Sequence, residues 1–160
     1  MPEPPLRPPG ALPEQKFQAT CIRCGKCVQA CPYGSIRMAT LLDGLAAMGS
    51  PIIQPRRTPC YLCLKCPPVC PSGALNRNLR KKEETRMGLA EINRDSCLAW
   101  QSTLCRSCYD ECPIFSEAIR MDDQLRPVIN QDKCVGCGIC ENVCPVGPEA
   151  IKVKAGARKG

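Results

Sequence analysis

Apolar residues in this chain fall in short runs that recur at fixed places. A β-prone run precedes three of the cysteine groups: Pro51-Ile52-Ile53, Leu89-Ala90-Glu91-Ile92-Asn93 and Pro127-Val128-Ile129-Asn130. A small residue and a large apolar one follow every cysteine group, as Ser35-Ile36, Ala74-Leu75, Ala118-Ile119 and Ala150-Ile151. Runs this short, bounded by turn residues, are strand signals, and a strand leaving one loop can pair with a strand entering the next as a hairpin. Two inserts interrupt the pattern. Residues 41–48, LLDGLAAM, predict a helix of about two turns, and residues 79–87, LRKKEETRM, predict an exposed one. No run approaches the roughly 18 apolar residues needed to span a bilayer.

Composition sharpens that picture. The hydrophobic share of 44 % counts sixteen cysteines among 160 residues, and without them it drops to about a third, below the usual apolar share. Side chains alone cannot build a large core from that. Seventeen prolines and twelve glycines indicate a loop-rich wrapper around something other than its own side chains. The length allows one domain or two very small ones.

The cysteines say what is wrapped. Three quartets share the spacing C-x2-C-x2-C-x3-C-P: Cys21, Cys24, Cys27, Cys31; Cys60, Cys63, Cys66, Cys70; and Cys134, Cys137, Cys140, Cys144. A further quartet, Cys97, Cys105, Cys108 and Cys112, has its first gap stretched to seven residues. Gaps of two residues let a tight loop aim three thiolates at one body. The gap of three starts a helical turn that carries the fourth cysteine to a neighbouring body. The proline behind it (Pro32, Pro71, Pro113 or Pro145) fixes the exit direction of the chain. That run is the bacterial ferredoxin signature, in which three thiolates hold one [4Fe-4S] cubane and the fourth ligates its neighbour. Sixteen ligands predict four clusters.

Other cysteine chemistries fit less well. A disulfide scaffold has no reason to repeat one four-cysteine spacing with a proline behind it. Structural zinc prefers paired C-x2-C knuckles, often with histidine, and this chain has none. A radical-initiating cluster wants C-x3-C-x2-C, an order absent here. With four cysteines for every cubane no iron keeps an open position, so the chain is expected to relay electrons and not to act as an enzyme. No Gly-rich dinucleotide fingerprint is present.

The formal charge of +7 invites a nucleic-acid reading, but it counts cysteines as neutral. Each oxidised cluster with its thiolates adds about −2, and each reduced one about −3, taking the total to about −1 or about −5. Basic residues then compensate the clusters, and no nucleic-acid partner is expected. Arg77 to Arg86 reads as a solvated helix face. Lys152, Lys154, Arg158 and Lys159 read as a frayed terminus. The start, MPEPPLRPPGALPEQ, reads as a Pro-rich extension with no apolar leader core and no twin arginine. Trp100, Tyr33, Tyr61 and Tyr109 lie near the cysteines in sequence and are expected to shield clusters from water. Spacing alone leaves open whether quartets pair in sequence or nested.

Several stretches carry a resemblance: RPPGAL at residues 7–12, CIRCGKCVQACPYGSIRMATL at 21–41, CPSGAL at 70–75, RMGLAEI at 86–92 and CRSCYDECP at 105–113. Together with the stretched third quartet they resemble the ferredoxin-type electron-transfer proteins of the NapG/MauM type, associated with periplasmic nitrate reductase and methylamine utilisation. The resemblance implies a loop-rich α+β fold of duplicated bacterial 2[4Fe-4S] ferredoxin-like units. It is similar as well to iron–sulfur subunits of membrane-anchored molybdenum oxidoreductases, which implies nested pairing, first quartet with fourth and second with third. The domains expected on that basis are an extension at 1–16, a four-cluster body at 17–154 and a basic tail at 155–160. Within the body, an outer unit takes about 17–50 and 121–154, and an inner unit about 51–120. The implied ligand sets are Cys21, Cys24, Cys27 and Cys144; Cys31, Cys134, Cys137 and Cys140; Cys60, Cys63, Cys66 and Cys112; and Cys70, Cys97, Cys105 and Cys108. The implied role is electron relay between a membrane iron–sulfur or quinol-oxidising protein and a redox enzyme or c-type cytochrome, on the periplasmic side of the inner membrane. Two alternatives stand beside it: a soluble cytosolic polyferredoxin subunit serving a catalytic oxidoreductase, consistent with the missing leader, and a Cys-rich zinc module.

Overall fold

The structure is a computed structural model and describes residues 3–156. Its elements are short, and they repeat. The chain enters extended, with Leu6 bridged to Ile53 and Ala11 to Leu75. Helix α1 (Glu14–Thr20) leads into the first cysteine loop, and α2 (Lys26–Ala30) leads out of it. Strands β1 (Ile36–Met38) and β2 (Pro51–Ile53) pair antiparallel, Ile36 opposite Ile53. The second quartet follows without regular helix. Then β3 (Gly88–Ile92), a 3-10 turn at Leu98–Gln101, α3 (Ser107–Asp110) and the hairpin of β4 (Ile119–Met121) with β5 (Pro127–Ile129) carry the chain to the last quartet. Helix α4 (Ile139–Val143) and β6 (Ile151–Ala155) end it, β6 pairing antiparallel with β3 so that Ile92 faces Ile151.

Two units built to one plan result. Each has a central hairpin, β1–β2 or β4–β5, and an outer pairing that joins its beginning to its end. In the second unit the outer pairing is the five-residue β3–β6 ladder. In the first it shrinks to the Ala11–Leu75 bridge and the bond from Leu12 N–H to the Ala74 carbonyl, because Pro8 and Pro9 bring no N–H to a ladder. Two hairpins form where the apolar runs predicted them, whereas the run Leu89–Ile92 pairs with β6 and not with the Ala74-Leu75 stretch that leaves the second quartet, which bridges to Ala11 instead.

Helices of four to seven residues cannot hold themselves in water. They are held by one continuous core in which Phe17, Leu75, Ile119 and Ile151 pack with buried Cys27, Cys60, Cys66, Cys70, Cys134, Cys137 and Cys140. Cysteine thus occupies the positions that leucine and isoleucine fill in an ordinary domain.

Several expectations are corrected. The units are sequential, not nested: each hairpin and each outer pairing joins neighbouring quartets, so the division into an outer 17–50 with 121–154 and an inner 51–120 does not hold. The segment before residue 17 is no extension, since Leu6, Arg7, Pro8 and Pro9 are buried in the first unit. The insert 41–48 makes a single 3-10 turn, Leu41–Asp43, closed by a Thr40/Asp43 capping box and stopped at Gly44, whose φ of 102° is open to glycine. Within 79–87 only Lys82–Glu84 is helical, again 3-10, because consecutive Arg80, Lys81 and Lys82 oppose a helix that one 4.0 Å ion pair, Lys81–Glu84, barely supports. Lys152 and Lys154 do not fray. They lie in β6 and pair with Glu3 at 2.8 Å and Glu91 at 2.6 Å, while Arg158 and Lys159 lie outside the described residues.

Candidate metal centres

In each short-gap loop, the residues on both sides of the second cysteine take left-handed backbone. These are Arg23 and Gly25, Leu62 and Leu64, and Gly136 and Gly138, with φ between 55° and 85°. Two left-handed steps around one cysteine reverse the chain twice within seven residues, which aims three thiols inward. Leu62 and Leu64 accept the strain that glycine relieves at Gly136 and Gly138. The stretched quartet reaches the same end differently: its extra residues form the 3-10 turn and close through Ser102 at φ 62°. Trp100 anchors that turn, donating its indole N–H to the Pro127 carbonyl at 3.2 Å and lying between the guanidinium groups of Arg94 and Arg126, each 4.2 Å from the ring.

Three cavities collect the thiols. Site I is lined by Cys21, Cys24, Cys27 and Cys70, with Phe17, Pro51, Ala74 and Leu75 as its walls. Site III is lined by Cys112, Cys134, Cys137 and Cys140, and site IV by Cys97, Cys105, Cys108 and Cys144. The remaining four, Cys31, Cys60, Cys63 and Cys66, group as site II: Cys60 feels the thiols of Cys63 and Cys31, and Cys66 those of Cys60 and Cys63. In every site three cysteines come from one loop and the fourth is the Cys-Pro cysteine of the adjacent quartet. The nested ligand sets are therefore corrected. Cys144 lines the cavity of Cys97 and not that of Cys21; Cys31 neighbours Cys60 and not Cys134; Cys112 lines the cavity of Cys134 and not that of Cys60; Cys70 lines the cavity of Cys21 and not that of Cys97.

The donor set fits a body larger than one ion. All sixteen cysteines are free thiols, yet among the described residues no three acidic, cysteine or histidine side chains converge on a point that a single metal ion could fill. In sites I, III and IV four thiols line one small cavity, a donor set of the kind that holds a [4Fe-4S] cubane.

Burial sets the thiol chemistry. It pushes Cys27 and Cys60 up to about 11 and Cys108 and Cys137 up to about 12, with neighbouring thiols adding to the rise. Cys66 and Cys140 rise for the same reasons. Binding a cluster in these places must expel protons, so metal entry and deprotonation are one event. Cys31 and Cys70 run the other way. Burial raises each, but the N–H groups of Ser35 and Tyr33 and the Ser35 hydroxyl outweigh it at Cys31, and those of Leu75 and Gly73 with the Ser72 hydroxyl outweigh it at Cys70. Ser35 N–H lies 3.3 Å from the Cys31 sulfur and Leu75 N–H 3.5 Å from that of Cys70. These donors follow the Cys-Pro step, a signal present in sequence only as the small residue before each apolar one.

The aromatic residues divide. Tyr109 packs against the core. Tyr33 and Tyr61, next to site II cysteines in sequence, pack with their rings tilted by 44° at 4.7 Å and stay about half exposed. Trp100 serves the stretched loop instead of lining a cavity.

Comparison with known proteins matches this division. A family described as 4Fe-4S dicluster domain matches residues 20–74, and a second of the same description matches residues 90–153. Each stretch holds two consecutive quartets. The chain is 44 % identical over 161 residues to "Ferredoxin-type protein NapG" of Escherichia coli (strain K12), an alignment covering 92 % of this chain and 69 % of that protein. It is 42 % identical over 158 residues to "Methylamine utilization ferredoxin-type protein MauM" of Paracoccus denitrificans (strain Pd 1222), covering 92 % and 70 %. The MauM protein of Methylorubrum extorquens is also 42 % identical, covering 92 % and 71 %.

Proposed function

This chain belongs to the NapG/MauM family of ferredoxin-type 4Fe-4S proteins, and from that premise we propose that it carries four [4Fe-4S] clusters and relays electrons between a membrane quinol-oxidising partner and a redox enzyme or c-type cytochrome. The observation that carries the reading is the recurrence of one arrangement, three thiols from a loop and a fourth from the next quartet. Site I would use Cys21, Cys24, Cys27 and Cys70. Site II would use Cys31, Cys60, Cys63 and Cys66. Site III would use Cys112, Cys134, Cys137 and Cys140, and site IV Cys97, Cys105, Cys108 and Cys144.

A bound cluster supplies reversible one-electron chemistry. The chain's residues do the rest. Walls such as Phe17, Leu75 and Ile119 keep water from the sulfurs. The N–H donors at Cys31 and Cys70 stabilise the more negative state and so raise the potential of whatever those cysteines hold. Full thiolate ligation leaves no iron for substrate, in keeping with a carrier and not a catalyst.

The proposed location is the periplasmic side of the inner membrane, as expected from the resemblance. Among the described residues no helix is long and apolar enough to cross a membrane. An EPR-monitored redox titration of anaerobically purified protein tests the function. Four successive one-electron reductions support it, and fewer, or a protein silent to dithionite, would count against it. Fractionation of cells expressing the native gene, with periplasmic and cytosolic markers, tests the location.

A further inference from the structure

The two units meet at residues 55–60 of the first against residues 137–144 of the second, and again where Glu3 pairs with Lys152 and Leu6 lies against Gly88. Arg56 holds the centre of the first of these seams. Its Nη1 donates to the carbonyl oxygens of Glu141 at 3.0 Å, Asn142 at 3.3 Å and Cys144 at 2.9 Å. The Asn142 side-chain amide answers by donating to the carbonyls of Pro55 at 3.2 Å and Arg56 at 3.1 Å. Gly138 lies so close that a Cβ there would overlap the Pro55 ring. Four residues after Arg56, the Cys60 N–H donates to the Cys137 carbonyl at 2.9 Å. A peptide hydrogen bond thus joins a cysteine of site II to a cysteine of site III.

Arg56 is chemically suited to this place. The last carbonyls of a helix have no intrahelical partner, and α4 ends at Val143. A fixed guanidinium satisfies several at once and places its charge where the helix end favours a cation. Helix α4 itself runs from Cys140 of site III to Cys144 of site IV, so the clamp grips the element that joins those two sites. Helix α2, by the same token, runs from Cys27 of site I to Cys31 of site II.

We propose that Arg56 is the positioning residue of a junction that joins the two dicluster units into one linear series, I–II–III–IV, with the Cys60–Cys137 contact as its inner step. The inference rests on the four-cluster reading. It adds that the units are not two independent ferredoxins on a string: Arg56 sets the separation of sites II and III, and sites I and IV are the ends.

The test compares anaerobically reconstituted full chain, wild type, Arg56→Lys, Arg56→Ala and Asn142→Ala, by iron and sulfide content and by EPR of the fully reduced protein. Wild type should show spin–spin broadening with fast relaxation. Arg56→Ala should keep its iron and sulfide but lose the share of that interaction crossing the seam, saturating at several-fold lower microwave power and approaching the sum of two dicluster spectra. Arg56→Lys should fall between, since its shorter side chain brings the ammonium less fully to the three carbonyls. An Arg56→Ala spectrum identical to wild type at full iron content would overturn the junction. If Arg56→Ala sheds iron, Asn142→Ala decides, with loss of the cross-seam interaction supporting the proposal and an unchanged spectrum overturning it. Failure of the four-cluster reading is seen separately, as wild type itself falling well short of four reduced centres.

Discussion

The Cys70 thiol lines the cavity of Cys21, which joins the second quartet to the first within one unit. Its counterpart, Cys144, lines the cavity of Cys97. A Cys144→Ala variant is therefore expected to damage the cluster of Cys97, Cys105 and Cys108 and to spare that of Cys21, Cys24 and Cys27. Cys70→Ala should do the reverse. Each should lose at most about four of its irons, and the EPR signal that disappears identifies the site. Loss of the Cys21 cluster in Cys144→Ala would restore the nested arrangement.

Sequence spacing made the clusters legible and left their pairing dark, for a physical reason. Cys31 and Cys70 carry the same C-x3-C-P step, and nothing in that step says which neighbour a fourth thiolate meets. The pairing is decided by β1–β2 and β4–β5, which close consecutive loops on each other, and by β3–β6. The hairpins were readable from Pro51-Ile52-Ile53 and Pro127-Val128-Ile129. The outer strand of the first unit was not, because Pro4, Pro5, Pro8 and Pro9 look like a linker. What seats it is Arg7, buried beside Phe17 and donating to Glu14, Ser50 and the Pro51 carbonyl, a set of partners scattered along the chain. The seam at Arg56 was equally hidden, since its acceptors are backbone carbonyls that any sequence supplies.

Arg7→Met should cost about 2 kcal/mol. The change takes the Arg7 donor from Ser50 and the Pro51 carbonyl and leaves Glu14 with Gln18 alone, a penalty of the kind seen when one member of a buried polar set is removed, reduced here because Glu14 is 28 % exposed. Guanidinium unfolding followed by cluster absorbance under argon measures it. An unchanged midpoint would show that the first unit does not depend on this anchor.

Gly138→Ala should be far more damaging than Gly25→Ala, although both glycines are left-handed. At Gly25 a methyl meets nothing within 4 Å, so only the backbone strain of about 1 kcal/mol applies. At Gly138 the methyl collides with Pro55 as well, adding ~1–3 kcal/mol of overpacking. Thermal loss of the clusters ranks the two, and equal midpoints would contradict the close approach.

Glu141 gives the protein a pH dependence of its own. Burial pushes its carboxyl above the usual range, against the pull of the Val153 N–H at 2.7 Å and the fields of Lys152 and Arg56. With a raised folded value, the folded state holds the proton more tightly than the unfolded one. Its contribution to stability is thus complete below the unfolded value and is lost as pH rises through the folded value. Glu141→Gln keeps an acceptor for Val153 without the charge. It should match or exceed wild type at pH 7, and the difference between the two should shrink as pH falls from neutrality towards the usual carboxylate range. Denaturation midpoints across that window check it, and a constant difference would exclude Glu141 as the source.

The central claim is that sixteen thiols hold four cubanes. Iron and acid-labile sulfide, measured on anaerobically purified chain against quantitative amino-acid analysis, test it most directly. About sixteen of each per chain is the expected result. Stoichiometric zinc without sulfide, or about eight irons from a protein with all cysteines intact, would contradict it.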